Sequence, residues 1–145
     1  MQRRFFLTAP LLAGLMISLS PVPAAAGSAT APLPARGLTL LMVDRPGCPY
    51  CLAFRREILP GYADHPEGRA APLSVIPLDG PWPDGLALAR SPYLTPSFIL
   101  LRDRREVARI EGYPGRRHFW PLLRDMLASD AALNGAGAKK PEGRP

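Results

Sequence analysis

Apolar residues along this chain fall into runs whose length and period change from place to place. Residues 37–43 (GLTLLMV) form a continuous apolar run of strand length, as expected for a strand covered on both faces. Pro46-Gly47 breaks it. From Pro49 to about Leu59 the pattern turns helical. Leu52, Phe54, Ile58 and Leu59 supply an apolar side, while Arg55, Arg56 and Glu57 are polar. Pro49 suits the first helical position, where its missing N–H costs nothing, and Pro60-Gly61 ends the helix. Residues 72–78 (PLSVIPL) read as a second strand. Residues 79–96 are irregular, with Pro81, Pro83, Pro92 and Pro96 around a candidate short helix over 84–90. Residues 97–102 (SFILLR) are a third strand, Asp103-Arg104 a turn, and residues 106–111 a fourth strand with alternation. Residues 116–132 predict the last helix, with Phe119, Leu122, Leu123, Met126 and Leu127 at helical spacing.

This order is β-α-β, a long connection, then β-β-α. Strands joined through a helix run parallel with a right-handed crossover, and strands joined by a tight turn form a hairpin. The expectation is an α/β domain with a four-stranded mixed sheet flanked by helices, spanning residues 37–133. Residues 27–36 are small and proline-rich and read as a linker; residues 134–145 read as a disordered tail.

Composition adds a compartment. The chain has 145 residues, about one domain, and is 47% hydrophobic, enough for a core. Its net charge is +6, two charges coming from Arg3 and Arg4. The remaining basic residues are mixed with acids, and no aromatic-interleaved basic stripe is present, so no nucleic-acid partner is expected. Residues 1–26 have the layout of an export signal. Gln2-Arg3-Arg4 is a positive start, residues 5–19 are largely apolar, and Ala24-Ala25-Ala26 offers small residues before cleavage. The apolar stretch is short beside the ~20 residues of a membrane span. Arg3-Arg4-Phe5-Phe6-Leu7 also fits a twin-arginine address, the alternative to the Sec route. An uncleaved N-terminal anchor is the remaining reading. All three place the domain outside the cytoplasm, in a bacterial periplasm, where disulfides persist.

The chain's 2 cysteines, Cys48 and Cys51, stand three apart in "PGCPYCLAFRREILP". Two cysteines fall short of the four ligands of a structural zinc site, and His65 and His118 have no local spacing with them, reading instead as surface groups. A structural disulfide closing so small a loop would remove little unfolded-state entropy. A redox pair, by contrast, needs this spacing. Unpaired N–H groups and the dipole at a helix N-terminus favour the thiolate of Cys48, and Cys51 lies within bonding reach one turn on. Cys48 would attack and Cys51 resolve the mixed disulfide.

At these residues the sequence resembles the thioredoxin superfamily. The intervening Pro49-Tyr50 is the dipeptide usual in glutaredoxins. Thr95-Pro96, just before the third strand, matches the family's second mark. The resemblance implies that this bond is cis and that Pro49, Tyr50, Thr95 and Pro96 support the active site. Departures are as informative. The thioredoxins' buried acid, six positions before the first cysteine, falls on Met42. Asp44 is nearer the pair but reads as solvated at a strand end. Gly112-Tyr113-Pro114-Gly115 does not match a glutathione site. Tyr113 and Trp120 either line the groove beside Cys48 or pack the last helix on the sheet, the second being favoured for Trp120. Arg55 and Glu57 read as solvated. "REILPGY", "TPSFILL", "REVARIEGYPG" and "HFWPLL" resemble the small exported thioredoxin-like SoxS proteins of bacterial sulfur-oxidation gene clusters.

That resemblance implies a reductase that keeps a sulfur-carrier protein in its thiol form. Its partners would be a protein with a reactive cysteine or disulfide, and a membrane thiol transporter as electron donor. No cofactor or metal is expected, and a monomer is. Two other functions remain open from sequence: a disulfide oxidase for protein folding, and a copper-binding thiol chaperone.

Overall fold

The computed structural model describes residues 33–137. The export segment over 1–26, most of the linker and the tail beyond 137 lie outside the described residues. The elements are β1 (Leu38–Asp44), α1 (Pro49–Glu57), α2 (Pro66–Ala70), β2 (Leu73–Pro77), β3 (Ser97–Arg102), β4 (Arg105–Glu111) and α3 (Arg116–Gly137), with a 3₁₀ turn at Leu59–Gly61. One mixed sheet holds the strands in the order β2-β1-β3-β4. β1 is parallel to β2, through Leu40↔Leu73 and Val43↔Ile76, and antiparallel to β3, through Leu40↔Leu100 and Met42↔Phe98. β3 and β4 form the hairpin.

The two central strands explain the continuous apolar runs, because both their faces are covered. One face presents Leu40, Met42, Phe98 and Leu100 to Phe54 of α1, to Ile58 at its C-cap, and to Phe119, Leu123 and Met126 of α3. The other presents Leu41, Val43, Ile76, Ile99 and Leu101, covered by Leu33, Leu78, Trp82, Leu86 and Leu88. Burying each large side chain of these sets contributes about 1.5–3 kcal/mol relative to leaving it in water.

That second cover is not helical. The short helix expected over 84–90 does not form. Gly85 sits at φ +76°, Leu86 and Leu88 both reach the sheet, and Ala87 between them bridges Arg105. The spacing is that of an extended segment with period two. A second difference lies between α1 and β2, where the sequence reading assigned no element. There the 3₁₀ turn and α2 form, and the buried Tyr62 hydroxyl donates to the Ala71 carbonyl at 2.7 Å. Leu52, expected on the apolar side of α1, is exposed, whereas Cys51, Phe54 and Ile58 are buried. α3 runs on to Gly137, past the end expected at Ala132.

The ordered domain also begins before its first strand. Leu33, inside the expected linker, is buried, and the Arg104 guanidinium donates to its carbonyl at 2.9 Å. At the C-terminal end of β3, the Arg102 Nε donates to both carboxylate oxygens of Asp130, at 2.9 and 3.0 Å, tying α3 to the sheet. The Arg102 hydrogen bonds hold the Asp130 carboxyl below its ordinary range, against the opposing effect of burial. Among the described residues no helix is long and apolar enough to cross a membrane.

Candidate active site: a disulfide at a helix N-terminus

The chain leaves β1 at Asp44 and turns through residues 45–47, with Gly47 at φ +75°, a conformation that favours glycine. This turn delivers Cys48 to the N-cap of α1, and its amide donates to the Arg45 carbonyl at 3.3 Å. Pro49 occupies the start of the helix, and no acidic residue stands in the first turn. The helix end therefore presents its positive pole to Cys48 unopposed. Cys48 and Cys51 are joined in a disulfide, their Cα atoms 5.3 Å apart. The Cys51 amide donates to Cys48 Sγ at 3.2 Å. Cys48 is 7% exposed and Cys51 2%, so Cys48 is the more accessible residue of the pair. Behind them lie Phe54, Met42 and Phe98, in one apolar cluster with both cysteines.

Thr95 closes the site from the sheet side. Its carbonyl oxygen lies 3.4 Å from Cys48 Sγ, and the Thr95–Pro96 bond is cis. Two hydrogen bonds fix this stretch: Gly112 N–H to the Pro96 carbonyl at 2.8 Å, and the Ser97 hydroxyl to the Leu94 carbonyl at 2.6 Å. The segment leading into it is held by charges on β4. Glu106 accepts from the Ala89 amide at 2.8 Å, and Arg109 donates to Glu106 and to the Arg90 carbonyl. Burial alone would raise the Glu106 pKa, but Arg109 and the Ala89 amide hold it below the ordinary range.

A groove of about 280 Å³ opens beside Cys48, lined by Pro49, Tyr50, Tyr93, Leu94 and Thr95 and bordered by Arg45. Tyr50, Tyr93 and Leu94 are exposed apolar side chains, an arrangement suited to a protein surface rather than a small polar substrate. Tyr93 and Leu94 escaped the sequence reading. Their signal was available, since they are large apolar residues standing immediately before Thr95-Pro96.

The other residues singled out from sequence are placed as follows. The Tyr113 hydroxyl donates to Glu57 Oε2 at 2.8 Å, and its ring meets Phe54 edge-on at 5.8 Å, so it packs on the far part of α1. Trp120 stacks on His65, with centroids 3.6 Å apart, and on Tyr62. His65 is thus half-buried rather than a free surface group, its Nδ1 2.5 Å from Glu67 Oε2, while His118 is exposed. Glu57 is tied to Tyr113, and Asp44 is not solvated: it pairs with Arg55. Among the described residues no group of three or more His, Cys, Asp or Glu side chains could hold a metal ion.

The mixed sheet, the cysteine pair at the start of α1 and the proline loop facing it define a thiol–disulfide oxidoreductase of thioredoxin fold. No protein-family model and no curated protein sequence matches the chain. Among solved structures, the periplasmic thioredoxin SoxS from Paracoccus pantotrophus, in its reduced form, is 44% identical, with a TM-score of 0.63. The match covers 64% of this chain and 98% of that one. Thioredoxin-2 of the malaria parasite is 21% identical over 61% of this chain and 82% of its own, with a TM-score of 0.47. Thioredoxin from Aeropyrum pernix is 14% identical over 63% and 77%, with a TM-score of 0.44. The chain belongs to the thioredoxin superfamily, and within it is similar to the periplasmic SoxS thioredoxin.

Proposed function

We propose that this protein is a periplasmic disulfide reductase that keeps a cysteine of a sulfur-oxidation carrier protein in the thiol form. The observation that carries the reading is the Cys48–Cys51 disulfide at the N-terminus of α1, with Cys48 the more exposed cysteine. The similarity to a periplasmic thioredoxin supports the compartment, as does the export signal read over residues 1–26.

In the reduced protein the Cys48 thiolate attacks one sulfur of the partner's disulfide. A Cys48–partner bond forms, the partner's S–S bond breaks, and the second partner sulfur leaves as a thiolate that takes a proton. Cys51 then loses its proton and attacks Cys48 Sγ, releasing the other partner sulfur. Two electrons and two protons pass to the partner, and the Cys48–Cys51 disulfide is left. The Cys51 N–H at 3.2 Å and the helix N-terminus stabilise charge on Cys48 Sγ. Tyr50, Tyr93 and Leu94 give the partner an apolar seat, and Pro49 and Thr95 shape the wall of the groove. A membrane thiol transporter returns the two electrons.

The test has two arms. Cys51→Ser is expected to trap a mixed disulfide with the partner in periplasmic extracts, and Cys48→Ser is not; the reverse pattern sinks the assignment of roles. In wild-type cells the protein is expected to rest as the dithiol and to become the disulfide when the transporter is deleted. A resting disulfide in both strains would make it an oxidase instead.

A further inference from the structure

One ion pair stands beside the redox turn without a part in the exchange just described. Asp44 is the last residue of β1, and its side chain is only 16% exposed. Its Oδ2 takes the guanidinium of Arg55, and its Oδ1 accepts the Arg45 amide at 2.7 Å. The Arg45 carbonyl in turn accepts the amide of Cys48. Two hydrogen bonds therefore separate the carboxylate from the Cys48 backbone. Arg55 follows Cys51 by four residues on α1, one helical turn along. The pair bridges the end of β1 to α1 across the turn that carries Cys48. Arg45 is the charged residue lining the groove beside Cys48, and the first turn of α1 carries no acid.

We infer that Asp44 and Arg55 are positioning residues for the redox couple: as a pair they clamp the Cys48 turn without adding net charge to it, so that neither charge acts alone on the sulfur. The inference rests on the redox reading of Cys48–Cys51. The disulfide is neutral, whereas the reduced form carries charge on Cys48 as its thiol ionises. A lone cation nearby favours the reduced form, and a lone anion favours the disulfide. Asp44→Asn leaves Arg55 unbalanced, and Arg55→Gln leaves Asp44 unbalanced. The two substitutions must therefore act in opposite directions, which loss of a purely structural clamp does not do.

The experiment equilibrates each mature variant with glutathione. The disulfide and two glutathione thiols give the dithiol and one glutathione disulfide, two electrons and two protons moving to the cysteines. Asp44→Asn is expected to shift the equilibrium toward the dithiol on the order of tenfold, ~30 mV, and Arg55→Gln to shift it comparably toward the disulfide. The double variant and Arg55→Lys are expected to stay near wild type. Single shifts of the same sign, no shift, or a double variant that does not return would each overturn the inference. The iodoacetamide rate of Cys48 in the prereduced variants gives a second reading, rising with Asp44→Asn and falling with Arg55→Gln. It needs no disulfide exchange, so it judges the ion pair even if wild-type exchange with glutathione and partner fails and takes the redox reading with it. Arg55 is 40% exposed, so its variants remain foldable should Asp44→Asn not be.

Discussion

Removing Arg102 should cost more than removing Asp130, although the two substitutions break the same ion pair. The side chain of Asp130 is 1% exposed and that of Arg102 is 32% exposed. Asp130→Ala frees a guanidinium that can turn toward water, so the loss is that of charge-assisted hydrogen bonds, about 1.5–3 kcal/mol. Arg102→Ala strands a carboxylate whose remaining side-chain donor is Asn134 Nδ2 at 2.9 Å, and an uncompensated buried charge costs about 3–5 kcal/mol. For a domain of this size each kcal/mol lowers Tm by about 4–8 °C. The pH dependence separates the two variants further. In the wild type the Asp130 pKa is held down, so its contribution is present above the unfolded-state pKa of about 3.9 and is lost as pH falls through the lower folded value. Without Arg102, burial opposed only by the Asn134 hydrogen bond should raise that pKa above the unfolded value. The Arg102→Ala deficit should then shrink as pH falls from 7 toward 5, while the Asp130→Ala deficit stays constant until about pH 4. Urea unfolding of the oxidised mature protein at pH 7, 6 and 5 measures both. An Asp130→Ala loss equal to or above that of Arg102→Ala, or an Arg102→Ala deficit flat in pH, refutes the reasoning.

Two further substitutions test the region between α1 and β2. A Cβ at Gly68 would overlap the Tyr62 carbonyl, so Gly68→Ala should lose about 1–3 kcal/mol despite alanine's better helix propensity; an unchanged Tm would show that α2 yields freely. Tyr62→Phe leaves the Ala71 carbonyl without its 2.7 Å donor and should cost about 1–3 kcal/mol by urea unfolding; a neutral result would mean water replaces the hydroxyl.

The six long elements were legible because each carries its own local signature. β1 and β3 are covered on both faces, so their apolar runs are unbroken, and in α3 Phe119, Leu123 and Met126 recur at helical spacing. The cysteines were legible as chemistry because their spacing and the proline after Cys48 already describe a helix start. α2 was not, since five residues are too few to show a period; Pro66 at its start and Glu67 in its first turn were the available marks. The expected helix over 84–90 failed because Leu86 and Leu88 alternate, and Gly85 needs a positive φ that no helix interior offers. The pairs Asp44–Arg55, Glu57–Tyr113 and His65–Trp120 join residues 11, 56 and 55 positions apart, and nothing in their local sequence signals a partner.

The unusual cover on the second sheet face has a consequence for how the domain meets its neighbours. Any open sheet exposes rows of unpaired amides and carbonyls along its outer strands, which invite another chain to add a strand and begin aggregation. Here the outer side of β4 is occupied where the strand begins: Ala87 N–H donates to the Arg104 carbonyl, and the Ala87 carbonyl accepts from Glu106 N–H, both at 2.9 Å. The opposite border, β2, is five residues long, follows Pro72 and ends in Pro77, neither of which can donate to an incoming strand. Both borders are therefore poor templates for strand addition, and the exposed apolar residues Tyr50, Tyr93 and Leu94 gather instead at the groove beside Cys48.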